Sequence, residues 1–190
     1  MNKSFTVLLL LCSTSLFAQQ NPAYEIIEHS LNSEILEEER QIELYLPPDR
    51  STATTTIYLL DGEWNFEYAK GLIDLYKRWN RIPDVALVAI TNTNRTRDFS
   101  PTEDSLRYPG SGGAQYFLEF IAMELIPSVE KEFKLPENRL IVGHSFGGLM
   151  ALYTLMQQPE LFSGYISISP STWWKDQYLF DAAAYEKLKQ

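Results

Sequence analysis

Residues Ile141 to Gly148, read as I-V-G-H-S-F-G-G, constrain this chain more than any other stretch. Leu140, Ile141 and Val142 form a short apolar run of strand character. Gly143-His144-Ser145-Phe146-Gly147 follows the pattern G-x-S-x-G, and a long apolar stretch of helical character begins at once. Strand, sharp turn and helix in that order are the context of a nucleophile elbow, a strained turn that pushes a serine Oγ into the open. The two flanking glycines carry no Cβ, so strand and helix can approach closely. The Phe146 amide would start the following helix and point toward a developing oxyanion.

The chain has 190 residues and is 45% hydrophobic, enough for one domain with a sizeable core. Residues 1–18 stand outside that core. Lys3 gives a short positive start, Val7 to Leu11 an apolar run, and Ala18 a small residue at a cleavage point; together they read as a secretory signal too short for a membrane span. Cys12 invites a lipoprotein reading, but Leu11 stands where such signals carry a small residue. Cleavage near Ala18 removes one lysine and no acid, taking the net charge from -9 to -10 and leaving a domain, residues 19–190, without cysteine. So acidic a chain is unsuited to nucleic acid or anionic membrane. No Cys/His cluster offers a zinc site, and neither metal nor cofactor is expected.

Taken in order, Ala23 to Ser30 and Arg40 to Leu46 alternate as strands, the second half-exposed near a sheet edge. Thr54 to Leu60 reads as a buried strand ending at Asp61-Gly62, and Phe66 to Trp79 as an amphipathic helix. Val85 to Ile90 is uninterrupted apolar sequence, expected as a central parallel strand. Asn92 to Gly113 is a long polar loop, a length often tied to function. Gln115 to Phe133 returns to helical spacing, with a kink or restart expected at Pro127. Tyr165 to Ser169 reads as a strand and Asp176 to Lys189 as a final helix. Strands alternating with helices predict an α/β fold whose parallel strand ends gather Asp61-Gly62, Ser145 and Ser169-Pro170 on one edge.

Arg40 to Pro47 (R-Q-I-E-L-Y-L-P), Tyr58 to Gly62 (Y-L-L-D-G), Arg97 to Thr102 (R-D-F-S-P-T), G-H-S-F-G-G and Ser167 to Trp174 (S-I-S-P-S-T-W-W) resemble the esterase D branch of the α/β-hydrolases, which includes siderophore (enterobactin-type) esterases. The resemblance implies a mostly parallel sheet with helices on both faces, here without the family's last strands and helix. It implies Ser145 as nucleophile toward a small-molecule ester, with the backbone N–H groups of Phe146 and Glu63 as the oxyanion hole. The family places an acid and then a histidine after the serine; here no histidine follows Ser145.

Other residues carry plainer readings. His144 adjoins the nucleophile at a tight turn, where neighbouring side chains point apart. His29 lies in an early strand, out of the family's order. Asp61 shapes its turn, and Asp176 offers a carboxylate to orient a histidine but reads more simply as a helix N-cap. Arg97 and Asp98 brace the long loop, with Arg97 in substrate contact as a second role. Trp173 and Trp174 either line a substrate pocket or cap the core. The whole reads as a secreted serine esterase lacking its catalytic acid and histidine in this chain, with a non-catalytic binding module or an acyltransferase as alternatives. Export predicts that protein recovered from the periplasm or medium begins close to Gln19. N-terminal sequencing that finds Met1 intact, or recovery confined to the cytosol, would contradict it.

Overall fold

The computed structural model describes residues 23–180, and within them the chain alternates as its hydrophobic pattern requires. The strands are β1 (Glu25–Ser33), β2 (Glu38–Leu46), β3 (Ala53–Leu60), β4 (Asp84–Ile90), β5 (Arg139–His144) and β6 (Gly164–Ile168). The α-helices are α1 (Gly62–Arg78), α2 (Arg95–Phe99), α3 (Ala114–Phe120), α4 (Ile126–Phe133) and α5 (Phe146–Gln157). The six strands form one sheet in the order β1-β2-β4-β3-β5-β6. The β1/β2 and β2/β4 pairs are antiparallel, and the β4/β3, β3/β5 and β5/β6 pairs are parallel. This is a mostly parallel α/β-hydrolase-type sheet with helices on both faces.

Strand β4 is apolar throughout because both its faces are covered. Ala86, Val88 and Ile90 join Tyr58, Leu60, Phe117 and Leu149 in the core under α3, α4 and α5. Val85, Leu87 and Ala89 join Leu59, Phe66 and Ile73 under α1. The period of two sends alternate residues to opposite layers, so each strand supplies both cores. Helix α5 buries nine of its twelve residues, which fits its apolar sequence. Strand β2 lies near the sheet edge, next to β1, but is more buried than its alternation implies, since Leu44, Tyr45 and Leu46 are all covered. At the other end of the described sheet, β6 leaves Ile166 and Ile168 half-exposed.

Two expectations change, and a third takes a definite form. The polar stretch 92–113 is not irregular throughout: Asn94 Oδ1 accepts from the Arg97 N–H at 3.1 Å and starts the short helix α2. At Pro127 the helix restarts, as expected: α4 begins at Ile126 with the proline in its first turn. Residues Ile121–Leu125 before it form a π turn, in which the Ile126 N–H reaches the Ile121 carbonyl. Proline lacks an N–H and its ring crowds the carbonyl four residues back, so the widened turn absorbs the mismatch. That turn aims Glu124 at the β1–β2 connection, where it accepts from the Glu34 and Ile35 N–H groups at 2.9 and 3.1 Å and from Ser33 Oγ at 2.5 Å. Asp176 is not a helix cap. Lys175, Asp176 and Gln177 all have positive φ, which a right-handed helix excludes, and among the described residues a short 3-10 turn, Tyr178–Phe180, follows. The rest of the expected final helix, like the leader, lies outside the described residues.

The long loop is anchored by a buried ion network. Arg40 is fully buried, and its Nη1 donates to Asp98 at 2.7 Å and Glu38 at 2.8 Å while Nη2 donates to the Thr91 carbonyl at 3.0 Å. Arg97 completes the square, with Nε 2.7 Å from Asp98 and Nη2 2.6 Å from Glu38. Hydrogen bonds from Arg97, opposed by burial and reinforced by Arg40, hold the Glu38 carboxyl below its ordinary value of 4.5. Its contribution to stability is therefore complete above that value and lost as pH falls through the folded-state value. Removing the Asp98 charge strands the Arg40 guanidinium in the core. Asp98→Asn should destabilise the chain by about 3 kcal/mol in urea unfolding, and Glu38→Gln should flatten the loss of stability below pH 4.5. A cost for Asp98→Asn within experimental error would show that the network does not hold the loop.

Candidate active site

The β5–α5 junction has the geometry that its glycines permit. Ser145 adopts φ 57° and ψ -114°, a sparsely populated conformation costing about 1–3 kcal/mol. Hydrogen bonds on both sides hold it. The Ser145 N–H donates to the Ile168 carbonyl at 3.0 Å, and the Ser145 carbonyl accepts from Leu149 at 2.9 Å and Ser171 at 3.0 Å. A Cβ on Gly143 would fall 2.2 Å from the Gly147 carbonyl oxygen, so no other residue fits there. The strand end of β6 and the segment after it thus pin the serine from one side, while β5 and α5 hold it from the other.

The β3–α1 junction lies beside it. Asp61 takes left-handed φ 58° and its carbonyl accepts from the Trp64 and Asn65 N–H groups, starting α1 without help from its side chain. That side chain is instead buried under Arg95, whose Nε and Nη2 reach the two carboxylate oxygens at 2.6 and 2.9 Å. Asn92, at the end of β4, donates its Nδ2 to Asp61 at 2.7 Å and to Glu63 at 2.8 Å, and its N–H to Glu63 at 3.1 Å. Gly62 packs on β4 so closely that a Cβ would lie 3.1 Å from the Ile90 carbonyl. The expected gathering of three turns on one sheet edge is therefore present.

Between the turns opens a cleft of about 660 Å³ lined by Asp61, Glu63, Trp64, Asn65, Tyr68, Arg95, His144 and Ser145. Glu63 and Ser145 both line it. Among the described residues, Ser145 Oγ has one hydrogen-bonding partner, Ser171 Oγ at 3.1 Å. Neither histidine pairs with it. His144 is exposed beside it. His29 sits on β1, four strand spacings from β5 or roughly 19 Å, with its ring edge-on to Phe133. Arg97 is not in the cleft; its guanidinium is taken up by Glu38 and Asp98. Trp174 is buried, donating Nε1–H to Thr102 at 3.1 Å, whereas Trp173 is exposed. Both stack with Tyr108 around Phe146, at centroid separations of 5.1 to 6.3 Å.

Reading the sequence missed Arg95, Trp64, Tyr68 and Ser171. Arg95 stands two residues from Arg97 in the same loop, and only the register of α2 tells which one faces the cleft. Trp64 and Tyr68 follow the Asp61-Gly62 turn at helical spacing, a signal that pointed there. Beside the cleft a groove holds Glu28, Glu43 and Glu63. Burial, with the neighbouring Glu28, Glu67 and Glu63 charges, pushes the Glu43 carboxyl up, so this flank disfavours anions. Among the described residues, no group of three or more His, Cys, Asp or Glu side chains is placed to hold a metal.

The chain is similar to known proteins in sequence and fold. The Esterase family model matches residues 33–189. The chain is 39% identical over 102 residues to the siderophore triacetylfusarinine C esterase of Aspergillus fumigatus, covering 50% of this chain and 34% of that one. It is 30% identical over 147 residues to the uncharacterised protein YbbA of Bacillus subtilis, covering 72% and 59%. The chain thus spans between about a third and three-fifths of the length of these relatives. Among solved structures, an IroE-like serine hydrolase from Shewanella oneidensis superposes with a TM-score of 0.77 at 35% identity, over 86% of this chain and 56% of that one. The chain belongs to the Esterase family, in the branch of α/β-hydrolase-type proteins that includes the siderophore esterases.

Proposed function

We propose that this chain carries the nucleophile and oxyanion donors of an exported serine esterase. The observation that carries the reading is the strained conformation of Ser145 at the mouth of a cleft it shares with the Asp61-Gly62-Glu63 turn. In the reaction, Ser145 Oγ loses its proton to a base and bonds to the ester carbonyl carbon. The carbonyl oxygen becomes an oxyanion facing the Phe146 and Glu63 N–H groups, and the tetrahedral species collapses with loss of the alcohol. Water then cleaves the acyl-enzyme; an alcohol in its place would make the enzyme an acyltransferase. Both amides belong to the first turns of helices, where N–H groups have no intrahelical acceptor. Relatives named as siderophore esterases support an ester of that class as substrate. The cleft's open shape and its Trp64 and Tyr68 rings suit a bulky, aromatic-bearing ligand. Export rests on the leader-like residues 1–18.

One feature favours a second reading, a binding module that keeps the cleft without turnover. The partner of Ser145 Oγ among the described residues is a hydroxyl, Ser171, which is no base at neutral pH. The chain's two histidines, at positions 29 and 144, are not bonded to it. A serine without a base loses many orders of magnitude in rate. The 190-residue chain alone should therefore hydrolyse p-nitrophenyl acetate no faster than its Ser145→Ala variant and react slowly, if at all, with a fluorophosphonate. Ser145-dependent multiple turnover would refute this and assign the base to a group within the chain. Binding of an aromatic ester by wild type, weakened by Trp64→Ala and Tyr68→Ala, is the expected sign of an intact cleft.

A further inference from the structure

Helix α1 carries a second apolar stripe that its packing on the sheet does not use. Phe66, Ala69 and Ile73 turn into the core beneath the helix. Trp64, Tyr68, Leu72, Leu75 and Trp79 follow one another four, four, three and four residues apart. At 3.6 residues per turn that spacing holds them within about 80° of arc, centred roughly 130° away from the core face. All five are exposed, as is Tyr76 beside them. With Tyr68 75% and Trp79 60% exposed, the six side chains together present roughly 700 Å². The largest apolar patch on a monomer reaches about 300–600 Å², and a stable interface takes about 800 Å² from each partner.

Two features of the border of this stripe point to what covers it. Gly71 weakens the helix at its middle, yet a Cβ there would meet nothing within 4 Å, so the fold itself does not call for a glycine. On an outer face, its missing side chain lets a second helix come close. Glu67 and Arg78 continue the same border, one toward each end of α1, and both are exposed. We propose that α1 packs against α1 of a second copy of this chain, antiparallel about a two-fold axis near Leu72. Such an axis lays the same border of both helices side by side and reverses their direction. Glu67 of each copy then meets Arg78 of the other, Trp64 meets Trp79, and Leu72 lies against its own equivalent. A lipid face is the lesser fit, because the acidic balance of the chain disfavours an anionic membrane. Trp64 also lines the cleft beside Ser145, so Trp79 of the second copy extends the cleft's rim. The interface does not depend on the esterase reading.

Sedimentation equilibrium tests this on the chain from Gln19 onward, which lacks the apolar leader and Cys12. The expected mass is that of two chains at about 100 μM and of one chain below about 1 μM, where the outer indoles are open to quencher. Leu72→Glu, Glu67→Arg and Arg78→Glu should each weaken association about tenfold or more, and the double reversal Glu67→Arg/Arg78→Glu should restore it. Leu106→Glu, at an exposed loop leucine away from α1, should change nothing. A single-chain mass at the higher concentration would overturn the dimer; binding of that monomer to phosphatidylcholine vesicles would make the stripe a lipid face. Undiminished association of Leu72→Glu would move the contact to another surface, such as the open edge of β6, and would overturn it too. So would a double reversal that stays dissociated, or a spread of larger species in place of a dimer.

Discussion

The contact between Gly143 and the Gly147 carbonyl sets the architecture of the site. With 2.2 Å between that oxygen and a hypothetical Cβ, the end of β5 and the first turn of α5 pass at backbone contact distance. Only then can the serine between them take its left-handed conformation and project Oγ away from both. The strain at Ser145 is offset by bonds to Ile168, Leu149 and Ser171 and by the burial of α5, whose apolar faces meet sheet and helix alike. Local strain at one residue thus depends on a helix hidden on nearly every side.

The same division of labour runs through the rest of the molecule. The parallel strands supply rigidity, and polar side chains committed to the backbone place the turns. Glu124 reaches from a π turn to the β1–β2 connection, and Glu130 holds Arg139 at the start of β5 through two bonds of 2.5 and 2.6 Å. The Arg40–Asp98 pair is the deepest of these devices. Glu38, Arg97 and the Thr91 carbonyl meet its charges, the condition under which burying them is tolerable, although the buried Arg40 Nε has no partner among the described residues. Through Asp98 the network fixes α2, the helix that begins with Arg95.

The sequence made the layers legible because burial on two faces leaves an uninterrupted apolar strand, as in Val85 to Ile90, and because G-x-S-x-G between strand and helix has few structural solutions. The identity of the cleft residues was less visible. Arg95 and Arg97 are chemically alike and two apart, so they point to different sides of α2; the choice between them comes from Glu38, a strand away, which no local pattern reveals. Asp176 looked like a cap because aspartate commonly caps helices, yet Lys175 and Gln177 share its left-handed backbone and form a turn. The π turn before Pro127 was hidden for a related reason. A proline predicts trouble in the hydrogen-bond ladder but not whether the helix ends or widens.

Trp174 gives the molecule an optical consequence. Of the four tryptophans, Trp64, Trp79 and Trp173 are more than half exposed, while Trp174 is 1% exposed and packs edge-on against Phe146. Emission from the blue edge of the spectrum, resistant to aqueous quenchers, therefore belongs to one indole sitting on the first residue of the elbow helix. Intrinsic fluorescence becomes a local gauge of the nucleophile turn, readable without a label, while the red-shifted remainder reports on the cleft rim and the outer helix.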